Sequence, residues 1–428
     1  MDRKKRALFS KLTFENWKNL ILVALVCFYL VYLIGFIGFG SFGGDYLAFW
    51  VVGKIADEKG YSQIYDLNNL RSVEIRELGN LRLITKIDVS SITTNPVPYF
   101  SFFVIPFHLL SRVNIVHSYW IWTFLNLIIL IGYLIFFLQK IHPEIGTTVN
   151  YLNLLILMLI SFPVFSNIIL GQVEVLLVVF AGEFIRYAVT KKPVLSGIWL
   201  GGLMLKPQLL ILVIPIFLIM RNWKVLFGFI VSSGTILMVS LLLSGLAGMK
   251  ALINLLTKYS VGMASNFLEG MINWRMIGLN LNNLFNTWFG WVITGLGMVL
   301  TIVAVYFLIR QRPPFGSPQW VMAILGVFSA TLAITWHSHY HMAMVIIPFL
   351  IYASLYKQLP ETIIFLWGIV TSIAFLGKLI TDLLAIVLMK INTTGYAGMI
   401  FGFFGFILNL VILISTIKSS STCNLVQD

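Results

Sequence analysis

The sequence predicts an all-α polytopic membrane protein, a bundle of about 12 transmembrane helices that each need about 20 apolar residues. Hydrophobic residues make up 59% of the 428 positions and charged residues only 11%, whereas soluble domains carry about 25% charged residues. Long apolar runs recur along the chain. Lys and Arg are concentrated in alternate connections between these runs, as in cytoplasmic loops, so both termini are expected in the cytoplasm.

Basic residues exceed acidic residues, and the formal net charge is +13. Because Lys and Arg at helix ends set the topology of membrane proteins, this charge is assigned to topology and no nucleic-acid partner is expected. Cys27 and Cys423 are far apart, so their spacing indicates neither a disulfide framework nor a metal-ligand pair.

The chain is divided into a basic cytoplasmic N-terminus (residues 1–17), a single transmembrane domain (18–417) and a cytoplasmic tail (418–428). The first predicted helix spans residues 18–39. Its apolar run is too long for the core of a signal peptide, so it is predicted to be a retained anchor.

A long external loop follows at residues 40–114 and is predicted to contain two amphipathic helices. The first begins near Asp45 and ends at Gly60, with apolar residues at three- and four-residue steps. The second covers residues 67–78 and is polar enough to lie at the membrane interface.

Prolines interrupt the end of this loop in the stretch Asn95-Pro96-Val97-Pro98-Tyr99. Residues 100–110 are apolar but too few to cross a bilayer as a helix. They are predicted to form a re-entrant or interfacial helix, which requires protein to cover its ends.

The other helices are predicted from apolar runs with basic residues at their ends. They cover residues 115–138, 148–164, 168–188, 225–245, 286–309, 319–335, 340–357, 362–378 and 395–417, with a second external loop at 246–285. Residues 195–220 are interrupted by Lys206-Pro207. Basic residues on both flanks favour two half-length helices whose outer ends are cytoplasmic, and a single crossing is the alternative.

Asp45 and the histidine-rich stretch 335–341 fall at the same external boundary of the predicted bundle. Ionisable groups near membrane depth are costly and therefore indicate function. Asp45 has a simpler alternative role, since an acidic residue in a first helical turn complements the helix dipole. His337 and His341 would stack on one face of a helix, and His339 would not.

Three roles are open for these histidines. They could hydrogen-bond local carbonyl groups, or they could bind a metal ion, because imidazole is a common ligand of transition metals. Binding the oxygens of a phosphate is the reading we favour, because two histidines at helical spacing and no nearby Cys give an incomplete metal site.

Lys206 is a buried cation in the apolar stretch Gly201–Pro207 and needs a partner, either Glu174 or an anionic ligand. A lysine that extends to the interface is the alternative. Glu174 could act in a site or complement the dipole of its helix. Arg275, Asn280, Asn282 and Asn283 could bind sugar or phosphate, or be solvated residues of the second external loop.

The sequence contains no GxxxxGK[ST] motif and no Asp-x-Asp pair. The first motif would bind nucleotide phosphates through a glycine-rich loop, and the second would suggest a nucleotide-sugar donor. Their absence from the sequence favours a donor that is not a nucleotide.

Four stretches in order carry a resemblance to a known family. They are Gly44-Asp45 with Gly60-Tyr61 and Ile64-Tyr65-Asp66; Pro96-Val97-Pro98-Tyr99 to Pro106; Leu170-Gly171-Gln172-Val173-Glu174, continuing into Gly197 to Lys206-Pro207; and Thr335-Trp336-His337-Ser338-His339-Tyr340, ending at Pro348. In these stretches the chain resembles the polyprenyl-phosphate-mannose-dependent mannosyltransferases of glycosyltransferase family 87, a branch of the membrane GT-C class.

The resemblance implies a GT-C-type bundle, an external active site and inverting transfer of a hexose from a polyprenyl-phosphate donor. Asp45 matches the catalytic aspartate of the family. The donor-binding candidates are Lys206, His337, His339, Arg275, Gln172, Glu174, Tyr46 and Tyr99. The family usually has adjacent histidines after the Trp, whereas Ser338 separates His337 and His339 here.

Inverting transfer needs one base to deprotonate the acceptor hydroxyl. Phosphate is already a good leaving group, so a single carboxylate at Asp45 suffices, with no metal and no cofactor. The expected partners are the lipid-linked donor, membrane lipids and a glycolipid or glycan acceptor, at the plasma membrane or the inner membrane of a bacterium. A transporter or flippase of a lipid-linked sugar is the alternative, but no internal repeat supports it.

Overall fold

A computed structural model describes residues 3–38, 42–80, 95–141, 149–260, 271–388 and 394–422, which form helices and no strands. The α-helices are α1 (Arg3–Gly38), α2 (Gly44–Lys59), α3 (Leu67–Asn80), α4 (Ile105–Leu110), α5 (Ile115–Ile141), α6 (Val149–Leu159), α7 (Phe162–Leu170), α8 (Glu174–Val189), α9 (Pro193–Gly201), α10 (Val213–Ile219), α11 (Trp223–Ser260), α12 (Trp274–Phe285), α13 (Phe289–Ile309), α14 (Pro318–Ile334), α15 (Ile347–Leu355), α16 (Glu361–Leu388) and α17 (Thr394–Thr422). Short 3₁₀ helices occupy Tyr61–Gln63, Ser101–Val104, Gly202–Leu205, Pro207–Leu210 and Tyr340–Ile346.

Several helices have the length and composition needed to cross a membrane. Four described helices (α1, α5, α11 and α13) are long and apolar enough, and α6 with α7 adds a fifth if this pair, bent by 43°, is one span. Large apolar side chains point outward from the long helices, for example Ile128 (69% exposed), Leu242 (77%) and Leu300 (65%). Such surfaces require lipid, so the chain is an integral membrane protein. The predicted number of about 12 crossings stays a prediction.

The innermost helix is α14, in which every residue from Trp320 to Ala333 is buried. A helix that is apolar on all sides belongs in the core of a bundle. It packs against α13 and α17, and residues 340–353, which follow it, are buried as well. In α17 the backbone N–H of Gly405 donates to the hydroxyl of Tyr340 at 2.8 Å.

The predicted helices of the first external loop are confirmed as α2 and α3. The short apolar segment after the prolines is also helical, with the 3₁₀ helix Ser101–Val104 leading directly into α4. Residue 39 at the end of the first predicted helix, residues 40, 41 and 81–94 of the predicted loop, and Cys423 in the predicted tail lie outside the described residues.

The two predicted helices at 148–164 and 168–188 are instead three, because the chain breaks twice. Ser161 has an extended backbone and Pro163 lies in the first turn of α7, a position that suits proline. Gly171, in the left-handed conformation with φ 70°, ends α7. The second break places Gln172 at a turn instead of inside a helix.

The predicted end of a helix at Gly245 is confirmed, because its φ of 66° and ψ of −179° are not helical. The residues after it were predicted to be loop, but a second helical stretch follows this kink directly and continues to Ser260. Leu252 and Leu255 in this stretch are buried, and their packing stabilises helix there. The rest of that loop contains α12, and residues 261–270 lie outside the described part of the chain.

The predicted interruption at Lys206 is confirmed. Two 3₁₀ helices flank it, and Lys206 itself has φ −132° and ψ 80°, which is not helical. Pro207 enforces this break because a residue before proline avoids the helical conformation.

Candidate functional site

A cavity of about 880 Å³ lies where the start of α2, the turn after α7, the break at Lys206 and the segment after α14 meet. Most of the polar residues predicted from the sequence line it: Asp45, Gln172, Lys206, Arg275, His337, His339 and Tyr99, together with His341. Residues up to 296 positions apart in the chain are therefore brought to one place.

The turn after α7 is a rigid platform for two of these side chains. The indole Nε1 of Trp122 donates to the backbone carbonyl oxygens of Gly171 (3.1 Å) and Gln172 (3.2 Å). The side-chain Oδ1 of Asn167 accepts the backbone N–H of Glu174 at 3.0 Å. These bonds satisfy backbone groups at a helix end and fix the directions in which Gln172 and Glu174 leave the turn.

Helix α2 begins directly on this turn. A Cβ atom at Gly43 would lie only 2.3 Å from the carbonyl oxygen of Leu170, so only glycine permits the approach. Asp45 follows in the first turn of α2. The amide Nε2 of Gln172 donates to Oδ2 of Asp45 at 2.6 Å.

A buried charged cluster continues from Gln172. Lys206 Nζ donates to Gln172 Oε1 at 3.4 Å and forms an ion pair with Glu174 Oε1. The same oxygen is 2.7 Å from His341 Nδ1. Glu174 is fully buried, Lys206 is 3% exposed and His341 is 4% exposed. Buried charges are tolerated when they are paired in this way.

The second oxygen of Glu174 differs from the first. Oε2 is buried and makes no hydrogen bond to any residue in the described ranges. Glu174 itself does not line the cavity. Its carboxylate therefore supports the cavity from behind, through Lys206 and His341.

The segment after α14 carries the histidines and is held by the start of α12. The backbone N–H of Ile272 donates to the carbonyl oxygen of Ser338 at 2.9 Å, and Asn273 Nδ2 donates to the carbonyl oxygen of Thr335 at 2.8 Å. Asn273 also caps α12, because its Oδ1 accepts the N–H of Met276.

The three histidines form a row instead of a helical face. The ring centroids of His337 and His339 are 4.6 Å apart at 79°, and those of His339 and His341 are 5.8 Å apart at 20°. The expectation that His337 and His341 stack on one helical turn is wrong, because 336–339 is not helical and the 3₁₀ helix begins at Tyr340.

Burial changes the charge of two of these histidines. It lowers the pKa of His337 to about 4 and the pKa of His339 well below its ordinary value of 6.5. Nearby positive groups, including Lys206, act in the same direction. Both rings are therefore neutral at neutral pH and can each donate one hydrogen bond.

Arg275 lies in the first turn of α12 at the cavity wall. Its Nη1 donates to the carbonyl oxygen of Trp336 at 3.2 Å, and its guanidinium lies 4.2 Å from the centre of that indole ring. Trp336 also stacks on Trp291, with ring planes 9° apart. None of the ion pairs found among the described residues involves Arg275, and its buried Nε has no hydrogen-bond partner there.

The two predicted tyrosines have different positions. Tyr99 lines the cavity, and Lys206 Nζ is 5.9 Å from the centre of its ring. Tyr46 is fully buried behind the wall, where its hydroxyl is 2.5 Å from Ser118 Oγ and its ring meets Tyr119 edge-on. Tyr46 therefore packs behind the first turn of α2, where it supports Asp45, and it does not face the cavity.

The sequence analysis considered His341 in the histidine-rich stretch but did not name it among the donor-binding candidates. The repeated spacing of two in His337, His339 and His341 could have found it, since an extended segment puts alternate residues on one side. Among the described residues, no group of three or more His, Cys, Asp or Glu side chains could hold a metal ion.

Part of the cavity wall is aromatic. Tyr32, Phe162, Phe165 and Phe375 line the cavity and contact one another, with ring centroids 5.3 Å apart for Tyr32 and Phe165 and 4.7 Å apart for Phe162 and Phe375. They come from α1, α7 and α16. The cavity therefore combines a charged region with an apolar region, as a site for an amphiphilic molecule would.

Residues 94–335 match the sequence model of glycosyltransferase family 87. The match covers more than half of the chain and includes Gln172, Glu174, Lys206 and Arg275, whereas Asp45 and the three histidines lie outside it. No curated protein and no solved structure matches the chain.

Proposed function

The chain belongs to glycosyltransferase family 87 and is a membrane glycosyltransferase, and we propose that it transfers a hexose from polyprenyl phosphate to a lipid or glycan acceptor. Mannose is the hexose that the family resemblance suggests. The observation that carries the proposal is one cavity in which three features occur together: the carboxylate of Asp45, the cation Arg275, which has no carboxylate partner among the described residues, and an aromatic wall. The carboxylate suits an acceptor hydroxyl, the cation suits a phosphate, and the aromatic wall suits a lipid chain.

Asp45 is the general base in this proposal. Inverting transfer requires removal of the proton from the acceptor hydroxyl as it attacks. Because phosphate departs without protonation, no second carboxylate is needed, unlike in glycosidases, which use a pair. The other carboxylate nearby, Glu174, is fully buried and paired with Lys206, so it is not available as a second acid or base.

The phosphate of the donor lies against Arg275, His337, His339 and Lys206, all of which line the cavity. Negative charge grows on this phosphate as the bond to the sugar breaks, so fixed donors there accelerate the reaction. Lys206 is already paired with Glu174. Arg275, which no carboxylate of the described residues pairs, therefore supplies most of the positive charge for the phosphate, and the neutral imidazoles donate hydrogen bonds.

The polyprenyl chain lies along the aromatic wall of Tyr32, Phe162, Phe165 and Phe375. Burial of apolar surface contributes about 25 cal/mol per Å², so a long lipid gains affinity there that a free sugar phosphate cannot. The lipid-linked sugar is a substrate, and no cofactor is required. The active site faces the extracytoplasmic side of the plasma membrane, because the basic segments are expected in the cytoplasm.

Incubation of the purified protein in lipid with polyprenyl-phosphate-[14C]mannose and a total membrane lipid extract tests the proposal. A labelled product that is absent with Asp45→Asn is expected, because the amide keeps the shape of the carboxylate but cannot take a proton. The variant is expected to bind the donor and to fold normally. EDTA should leave the wild-type rate unchanged.

Two results would contradict the proposal. Turnover by Asp45→Asn at the wild-type rate would remove Asp45 as the base. Absence of product from every extract, with donor binding demonstrated, would favour a different sugar or movement of the lipid-linked sugar across the bilayer.

A further inference from the structure

We infer that Gln172 is a positioning residue that holds the base Asp45 by one oxygen and leaves the other oxygen to take the acceptor proton. The inference rests on the proposed role of Asp45. The inference also assigns a role to the buried cluster of Lys206, Glu174 and His341: this cluster fixes the orientation of the Gln172 amide.

The contacts form one continuous series from the cavity into the core. Gln172 Nε2 donates to Asp45 Oδ2 at 2.6 Å, and Gln172 Oε1 accepts from Lys206 Nζ at 3.4 Å. Lys206 pairs with Glu174 Oε1, which is 2.7 Å from His341 Nδ1. Asp45 Oδ1 makes no hydrogen bond to any residue that the structure describes, and Asp45 lines the cavity.

The charges at its two ends determine which way the Gln172 amide points. Only the NH₂ group can donate to a carboxylate, and only the oxygen can accept from an ammonium group. Rotating the amide by half a turn would place its oxygen against the carboxylate of Asp45 and its NH₂ group against the ammonium group of Lys206. Gln172 is 6% exposed, so water would compensate for little of that loss.

Glu174 and His341 keep Lys206 in the place that this orientation needs. An ammonium group buried without a counter-ion would release its proton or move to the nearest carboxylate. Because Glu174 pairs with Lys206, the lysine stays behind Gln172 and does not pair directly with Asp45. A direct ion pair would lower the basicity of Asp45, whereas a neutral amide orients it without removing its role as a base.

The backbone of Gln172 is held equally firmly. Its carbonyl oxygen accepts from Trp122, and the next turn is capped by Asn167. Each end of the Gln172 amide already bonds a protein group, Nε2 to Asp45 and Oε1 to Lys206, whereas the buried Nε of Arg275 has no partner among the described residues.

Substitutions of Gln172 separate this role from donor binding in the [14C]mannose assay described above. Gln172→Ala should lower kcat by at least about tenfold and change the KM for polyprenyl-phosphate-mannose less than about twofold, since general-base catalysis contributes about 10²–10⁴-fold and only part of it is lost. A rise in donor KM as large as the fall in kcat would overturn the inference, because it would indicate direct contact with the donor.

The pH dependence of kcat gives a readout that a purely structural role would not change. Gln172→Glu places a second carboxylate beside Asp45, and two adjacent carboxylates raise the pKa of one of them. The acidic limb of the kcat profile should therefore move to higher pH by about one unit or more. An acidic limb at the wild-type position would overturn the inference.

Gln208 provides a matched control, because it lines the same cavity but has no hydrogen bond to Asp45. Gln208→Glu should leave the acidic limb in place. If Gln172→Glu fails to fold, Gln172→Asn takes its place without a change of charge: the shorter amide cannot span from Asp45 to Lys206, so it should lower kcat with little effect on donor KM. Product formation by the wild type establishes the transferase independently, so failure of the inference and failure of the proposed function are distinguishable.

Discussion

Gln172 Nε2 lies 2.6 Å from Asp45 Oδ2, although 127 positions separate the two residues in the chain. The contact joins the first turn of α2 to the turn that ends α7. Both turns depend on glycine, at Gly43 and Gly171. Backbone geometry and side-chain chemistry therefore act together to present one carboxylate to the cavity.

Arg275→Ala is expected to raise the KM for the polyprenyl-phosphate donor by about tenfold or more, which corresponds to about 1.4 kcal/mol, and to lower kcat as well. Arg275 has no carboxylate partner among the described residues, so its charge is available to phosphate. Arg275→Lys should recover only part of the loss, because an ammonium group cannot make the same planar contacts. Initial rates at varied donor concentration measure both constants.

Arg112 is the matched control for this change, since it is 59% exposed and paired with Asp57 at the end of the first loop. Arg112→Ala should leave donor KM at the wild-type value. Equal effects of the two substitutions would mean that Arg275 acts only through overall charge.

Glu174→Gln is expected to destabilise the protein strongly, because it leaves Lys206 buried without its counter-ion. Breaking a buried pair from one side typically costs about 3–5 kcal/mol. The double variant Glu174→Gln with Lys206→Met should recover much of the loss, since no unpaired charge remains. Thermal unfolding midpoints in one detergent give the comparison, and equal midpoints for the single and double variants would contradict it.

The stability of the fold is expected to fall as pH decreases from about 6.5 toward 4, in part through His337. Burial lowers the pKa of His337 to about 4 in the folded protein, against 6.5 for an ordinary histidine. In this window the unfolded chain binds a proton that the folded chain does not, so acidification favours unfolding. Stability from this source is complete above pH 6.5.

The double variant His337→Gln with His339→Gln should show a smaller fall of the unfolding midpoint over the same window. His117 is exposed and does not line the cavity, so His117→Gln is the control. If the unfolding midpoint of the double variant falls with pH as steeply as that of the wild type, other groups cause the acid sensitivity.

Gly171→Ala is expected to disrupt the site and lower transfer activity by about tenfold or more, consistent with partial loss of general-base catalysis. Gly171 has φ 70°, and an added Cβ would lie 2.5 Å from the Cβ of Tyr46. The turn would then shift and move Gln172 away from Asp45. Gly35→Ala in α1 is the control, because nothing lies within 4 Å of its added Cβ and alanine favours a helix there. Wild-type activity in Gly171→Ala would contradict this view of the turn.

Local features of the sequence predicted much of the framework. The helix after Asp45, the proline break before Phe100 and the interruption at Lys206 each follow from residues within a few positions of them. The helix end at Gly245 also follows from the glycine itself, which permits a non-helical conformation. The second helical stretch after Gly245 was not predicted, because it depends on the buried packing of Leu252 and Leu255, and packing is not a local property.

The sequence predicted which residues belong to the candidate site better than it predicted the contacts between them. Asp45, Lys206 and His337 stand out as polar residues in apolar surroundings, so they could be named from sequence. The sharing of one Glu174 oxygen by Lys206 and His341 depends on three separate helical segments and had no signal of its own. Tyr46, adjacent to Asp45, was expected in the site but faces the opposite way, because neighbouring residues of a helix point in different directions.

The position of α14 bears on the order in which the protein is made. This helix has no lipid-facing residue between Trp320 and Ala333, and one of its neighbours is α17, whose Gly405 bonds to Tyr340 beside the histidines. During synthesis from the N-terminus, α14 leaves the ribosome long before α17 does. The histidine row therefore reaches its final environment only after α17 has been made and has packed against α14.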